Sequence, residues 1–178
     1  MHKLFFIGGA KGVGKTSLTN NISADLKLSR LETGKLLTDY RANEQAISFE
    51  DYITKRILDN DNNIILDTHF AQYSPYAKES MPFQRGLDKE NLLRLADGFD
   101  ISLCLLEVNP EELLKRRLAD SKIRVLEPAL ISEELEFNRR ASSLYSAELG
   151  IPIFEVQNND FNQTIIKLKK WINLHESL

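Results

Sequence analysis

Short apolar runs alternate along the chain with stretches in which apolar residues recur every three or four positions. This pattern predicts parallel strands joined by crossover helices. Leu4 to Ile7 reads as a first buried strand, and Leu18, Ile22 and Leu26 fall at i, i+4 and i+8, so the helix after it packs one face on the sheet. Ser29 to Glu32 reads as a short second strand that ends at the turn signal Thr33-Gly34, and the stretch from Lys35 to about Leu58 reads as mostly helical. The turn cluster Asp59-Asn60-Asp61-Asn62-Asn63 then delivers the strand Ile64-Ile65-Leu66, with Asp67 at its carboxyl end. From Ala71 to Gly86, Pro75, Pro82 and the aromatics follow no period, which predicts a long surface loop. A helix near Asp88 to Ala96 and a strand over Ile101 to Val108 come next. Asn109-Pro110-Glu111-Glu112 is a complete helix start: an Asn cap, a Pro in the first turn, and acids facing the positive end of the helix dipole. A turn-like basic connection from Asp120 to Pro128 precedes a long helix from Ser132 to Gly150. Ile151 to Val156 is the last strand, and Ile165, Leu168 and Ile172 mark a C-terminal amphipathic helix.

At 178 residues the chain has the length of one domain, read here as a single unit over residues 1–178. With 42% hydrophobic and 28% charged residues it has the composition of an ordinary globular domain. A formal net charge of -3 removes the bulk electrostatic argument for a nucleic-acid or anionic-membrane binder, so neither is expected as a partner. The lone Cys104 lies in an apolar run and reads as a buried thiol, and three scattered histidines carry no transition-metal spacing. The apolar opening is broken at Gly8 before a secretory segment forms, and no run approaches a membrane span, so a cytoplasmic location is expected.

The chemistry is concentrated in Gly9-Ala10-Lys11-Gly12-Val13-Gly14-Lys15-Thr16, which fits G-x-x-x-x-G-K-[ST] between an apolar strand and an amphipathic helix. Glycines let successive backbone N–H groups converge on phosphate oxygens, and the helix N-terminus adds its positive dipole end. Lys15, read as an exposed loop lysine, neutralises β- and γ-phosphate charge; Thr16 offers a hydroxyl to Mg2+, and Ser17 completes the nucleotide-binding set. The overlapping G-x-x-x-G-x-G of Gly8 to Gly14 also suits a dinucleotide loop, but no Tyr here stands four residues before a Lys, as such a dehydrogenase requires. A GTPase would show Asn-Lys-x-Asp late in the chain, and Asn158-Asn159-Asp160 lacks the Lys. Asp67, ending an apolar strand, reads as the second Mg2+-supporting carboxylate. Late basic residues read either as a solvated helix face or as cations that meet charge on a moving phosphoryl group; Arg116, Arg124 and Arg139 are the candidates for the second role.

Together with this loop, Ile64-Ile65-Leu66-Asp67-Thr68-His69, the segment from Leu106 through Asn109-Pro110-Glu111-Glu112 to Arg117, and Glu136-Phe137-Asn138-Arg139-Arg140-Ala141 resemble the archaeal-type adenylate kinases, among the P-loop nucleoside monophosphate kinases. The resemblance implies an α/β three-layer P-loop fold with a five-stranded parallel sheet flanked by helices. It also implies a short lid over about 118–132, an ATP and Mg2+ donor site, and a nucleoside monophosphate as acceptor. Thr33-Gly34-Lys35 is similar to the Thr-Gly-Asp stretch that opens the family's acceptor region, so Thr33 and Gly34, within an excursion over about 34–63, are expected at the acceptor. Lys35 replaces the family's Asp, and the segment from Gly34 to Asp67 is short and lacks the family's Arg-containing stretch. Arg41, Arg85 and His69 are the remaining candidates for holding the acceptor. A kinase of a non-nucleotide small molecule and a regulatory P-loop ATPase are the alternatives.

Overall fold

The computed structural model describes residues 1–43, 46–73, 83–121 and 125–176. Five parallel strands, β1 (His2–Gly8), β2 (Ser29–Glu32), β3 (Ile64–Asp67), β6 (Phe99–Glu107) and β7 (Ile153–Gln157), lie in the order β2-β3-β1-β6-β7. The strands alternate faces, as the pleat requires. Leu4, Phe6, Ile64 and Leu66 pack with α3 (Phe49–Leu58), α4 (Lys89–Gly98) and the far half of α6 (Pro128–Leu149). Phe5, Ile7 and Ile65 pack on the other face with α1 (Lys15–Leu26) and α7 (Phe161–Glu176). Tyr145 meets Phe6 edge-on at 5.9 Å in the first layer, and Trp171 meets Phe5 at 5.6 Å in the second, so one aromatic anchor locks each helix layer to β1.

Chain order and sheet order part company at β1, whose neighbours are β3 and β6. The helices diverge there, and the carboxyl ends of β1 and β3 frame a crevice, the place where open parallel sheets bind ligands. In the register of those strands Ile7 pairs with Asp67 and Asp67 with Glu32, so two acids and the start of the glycine loop stand level on one edge.

Several expected elements differ in detail. The helical stretch after Thr33 is two helices, α2 (Thr33–Ala42) and α3, the second opened by Ser48, whose hydroxyl accepts the Asp51 N–H at 3.0 Å. The surface loop expected from Ala71 to Gly86 has paired ends: β4 (Ala71–Tyr73) and β5 (Phe83–Arg85) form an antiparallel ladder, while 74–82 lie outside the described residues. α5 (Pro110–Ala119) starts where predicted, with the Asn109 side chain accepting the Glu112 N–H at 2.7 Å. α6 begins at Pro128 rather than Ser132, because Pro supplies its own helical φ in a first turn that needs no N–H donor. Cys104 is fully buried, and burial pushes its thiol pKa up.

Candidate functional site

The loop between β1 and α1 is built by backbone. Gly9, Gly12 and Gly14 have φ of 149°, 93° and 97°. At Gly9 a Cβ would stand 2.3 Å from the Leu106 carbonyl oxygen, and at Gly14 2.6 Å from Asn158 Nδ2, so glycine is required at both by conformation and by space. Ala10 and Val13 are fully buried in the layer beneath, so their side chains anchor the loop. No side chain caps α1 at Gly14 and no acid stands in its first turn, which leaves the first N–H groups and the dipole turned toward the cleft.

Lys15 corrects the expectation of an exposed lysine: it is 6% exposed, and its ammonium donates to the carbonyls of Gly9 at 2.7 Å and Ala10 at 2.8 Å. His69 Nδ1 is 2.7 Å from the same Gly9 oxygen and 3.2 Å from the Lys15 ammonium. Across the cleft, Asp67 Oδ2 accepts from Thr16 at 2.9 Å and from Thr19 at 3.3 Å. It also accepts from Arg30 at 2.6 Å. These six loop and helix residues, Lys11, Gly12, Gly14, Lys15, Thr16 and Ser17, line a cleft of about 470 Å³ together with Glu32, Thr33, Gly34, Asp67, His69 and Asp120. An uncapped helix N-terminus for phosphate and a hydroxyl beside a carboxylate for a hard cation are the donor set that ATP and Mg2+ require.

Three residues from distant elements fix the loop from behind. The buried Arg117 donates to the Lys11 carbonyl through Nε at 2.9 Å and Nη2 at 2.6 Å, while Glu134 accepts the Lys11 N–H at 2.9 Å. The Lys11 amide is therefore spent on the protein, although the residue lines the cleft. Arg117 Nη1 reaches the Val125 carbonyl at 3.0 Å, linking the loop to the connection between α5 and α6. Asn158 donates to the Val13 carbonyl at 2.7 Å.

Arg116 belongs to the same buttress. It donates to the Val13 carbonyl at 3.2 Å and the Asn158 carbonyl at 2.7 Å, and its bond to Glu112 holds that carboxyl below its usual pKa. Arg139 bonds Glu107 at 2.7 Å and Glu136 at 2.8 Å, outside the cleft lining. Arg124 lies outside the described residues.

A second pocket of about 130 Å³ shares Lys11, Thr33, Gly34 and His69 with the cleft and continues over Leu37, Phe49, Ile53, Thr68, Gln72 and Gly86. Thr33, Gly34 and His69 are thus brought together where the two pockets adjoin. Arg41 and Arg85 are not brought to its lining. Arg85 instead forms a two-point ion pair with Glu148 and lies over the Tyr145 ring at 4.5 Å, because a guanidinium flanked by a carboxylate and an aromatic face is better satisfied there than in a cleft. Sequence reasoning missed Arg30, Glu134 and Asn158. A charged residue inside a strand, an acid on the apolar face of a helix, and an amide just past the last strand are the signals that could have flagged them.

No family model matches the chain. It is 27% identical, over 164 residues, to an adenylate kinase homolog of Methanothermobacter thermautotrophicus, covering 85% of this chain and 82% of that protein. Among solved structures it is similar to the YorR protein of Bacillus subtilis in complex with phosphorylated GDP, at TM-score 0.69 and 18% identity over 99% of both chains. It is also similar to the shikimate kinase of Bacteroides thetaiotaomicron, at TM-score 0.60 and 14% identity over 96% of this chain and 98% of that one. A gluconokinase from Sinorhizobium meliloti gives TM-score 0.53 at 11% identity, over 97% of each chain. These likenesses and the strand order show a three-layer P-loop fold of the kind found in small-molecule kinases.

Proposed function

We propose that the chain is a P-loop phosphotransferase that moves the γ-phosphoryl group of ATP to a nucleoside monophosphate. The observation that carries this reading is the junction of two pockets at Lys11, Thr33, Gly34 and His69, with Lys15 and the Thr16–Asp67 pair on the donor side. A donor and an acceptor seated on either side of that junction meet end to end, and holding two reactants so is most of what phosphoryl transfer asks of a protein.

In this mechanism the N–H groups opening α1 bind the donor's phosphates, and Lys15 turns from the Gly9 and Ala10 carbonyls to the transferring group. Thr16 and Asp67 would hold Mg2+, which when bound neutralises charge on the β- and γ-oxygens. Arg116 and Arg117 keep the loop in shape from behind. The connection between α5 and α6 closes as a lid and excludes water, and Arg139 swings from Glu107 to complete the cationic surround. The archaeal adenylate kinase homolog, which covers most of the chain, supports a nucleotide as acceptor.

A second reading, transfer to a non-nucleotide small molecule, is favoured by one observation. Among the described residues no arginine lines the acceptor pocket, where a monophosphate needs a cation beyond Lys11. The test is a panel of AMP, CMP, UMP, GMP, shikimate and gluconate incubated with Mg-ATP, with ADP formation measured. Turnover with at least one monophosphate is the expected result. Turnover confined to the non-nucleotide acceptors replaces the first reading by the second, and slow ATP loss independent of every acceptor points to a regulatory ATPase.

A further inference from the structure

Arg30 reads from the sequence only as a polar position in a short strand, yet the fold carries it into the metal corner of the cleft. Its side chain is 11% exposed. Nη2 stands 2.6 Å from Asp67 Oδ2 and 3.1 Å from Glu32 Oε2, and Nε donates to Thr19 Oγ1 at 2.8 Å. Thr19 in turn donates to Asp67, so the guanidinium and the hydroxyl close a ring on one carboxylate oxygen. Asp67 and Glu32 both line the cleft, and both touch the same guanidinium nitrogen. Without that nitrogen two carboxylates would stand side by side, with the Thr16 hydroxyl next to them. Adjacent carboxylates are what gathers a hard divalent cation from water.

We propose that Arg30 is a guard cation: it keeps Glu32 and Asp67 neutralised as a pair, so that a divalent ion enters this corner with the nucleotide's phosphates and not alone. The proposal rests on the reading of the cleft as a Mg-ATP site. The charge is carried by a guanidinium, which spreads it over three nitrogens. It is also planar and donates in fixed directions, which lets it satisfy both acids and the threonine at once while Asp67 keeps a set orientation. Arg30 is thus a positioning residue, acting on the metal through Asp67.

The experiment reads free Mn2+, a paramagnetic stand-in for Mg2+, by electron paramagnetic resonance with and without ATP. Wild-type protein and Arg30→Lys, which keeps the charge, are expected to bind Mn2+ weakly without ATP and well with it. Arg30→Met is expected to bind free Mn2+ at least about tenfold more tightly than wild type, because a repelling charge within a few ångströms has gone. Adding Glu32→Gln to that variant should return free-ion binding to the wild-type level. A purely structural strut would leave free-ion affinity unmoved. If Arg30→Met does not give a folded circular-dichroism spectrum, Arg30→Gln, which keeps a donor for Thr19, carries the same prediction. Equal free-Mn2+ affinity in wild type and the folded neutral variant overturns the proposal. Lack of ATP-dependent Mn2+ binding in wild type sinks the Mg-ATP reading itself, so the two failures are distinguishable.

Discussion

Arg117 and Glu134 meet at 2.8 Å beneath the glycine loop and grip one residue by the peptide groups on either side of it, the arginine on the Lys11 carbonyl and the glutamate on its N–H. They are 3% and 2% exposed, so neither charge has water to fall back on. Arg117→Met should therefore cost about 3–5 kcal/mol in urea unfolding, mostly from stranding the Glu134 carboxylate. Adding Glu134→Leu should recover much of that stability, because no buried charge then remains unpaired. ATP affinity, read by calorimetry, should stay weak in the double variant, since neither replacement can hold the Lys11 N–H or carbonyl. Recovery of both together would make the pair a matter of stability only.

Lys15→Met removes the donor-site cation and keeps the stem. Phosphoryl transfer should fall on the order of a thousandfold, the usual worth of a charge that meets the transition state. Because the ammonium also ties the Gly9 and Ala10 carbonyls, stability should drop by about 1 kcal/mol as well. Turnover near the wild-type rate in the purified variant would remove Lys15 from the mechanism.

Asp67→Asn keeps the shape and the acceptor oxygen but loses the charge that Arg30 and Thr16 share. The Mg2+ concentration giving half-maximal rate should rise, and kcat should fall steeply, while ATP binding measured without metal changes little. A Mg2+ titration that superimposes on the wild type's would leave Asp67 as a strand-end anchor for Arg30.

Arg85→Ala should leave the acceptor KM alone and lower stability, because the guanidinium is committed to Glu148 and the Tyr145 ring. The hydrogen bond from Arg85 holds the Glu148 carboxyl below its ordinary 4.5. A carboxyl depressed in the folded state contributes fully above its unfolded value and loses that contribution as pH falls through the folded one. The stability gap between wild type and variant should then be constant from pH 7 to about 5 and shrink below 4.5. A tenfold rise in acceptor KM on this substitution would restore Arg85 to the acceptor site.

Most of what periodicity and spacing can express was legible in the chain. The strands around Leu4 and Ile64, the Asn109 cap and the glycine loop all announce themselves locally, because a strand face, a helix cap and a positive φ are set by residues a few positions apart. Pairings between distant segments do not announce themselves so. The β4–β5 ladder spans residues whose sequence reads as plain loop, since two three-residue strands are too short to show alternation. Arg85, Arg116 and Arg139 look alike on paper, and only the acids that the fold places near each one decide whether it faces a ligand, a loop or a helix. For the same reason Arg30 escaped notice: its partners are two acids and a threonine on three different elements.

The bond from Asn158 to the Val13 carbonyl joins residues 145 positions apart. Gly14 has no side chain, and the amide of Asn158 sits where one would be. Translation delivers the two in order, so the glycine loop is made well before the amide that clasps it. Until β7 has docked beside β6, the folding chain carries the motif with one of its clasps missing, and closing the sheet at that edge is what completes the loop's support.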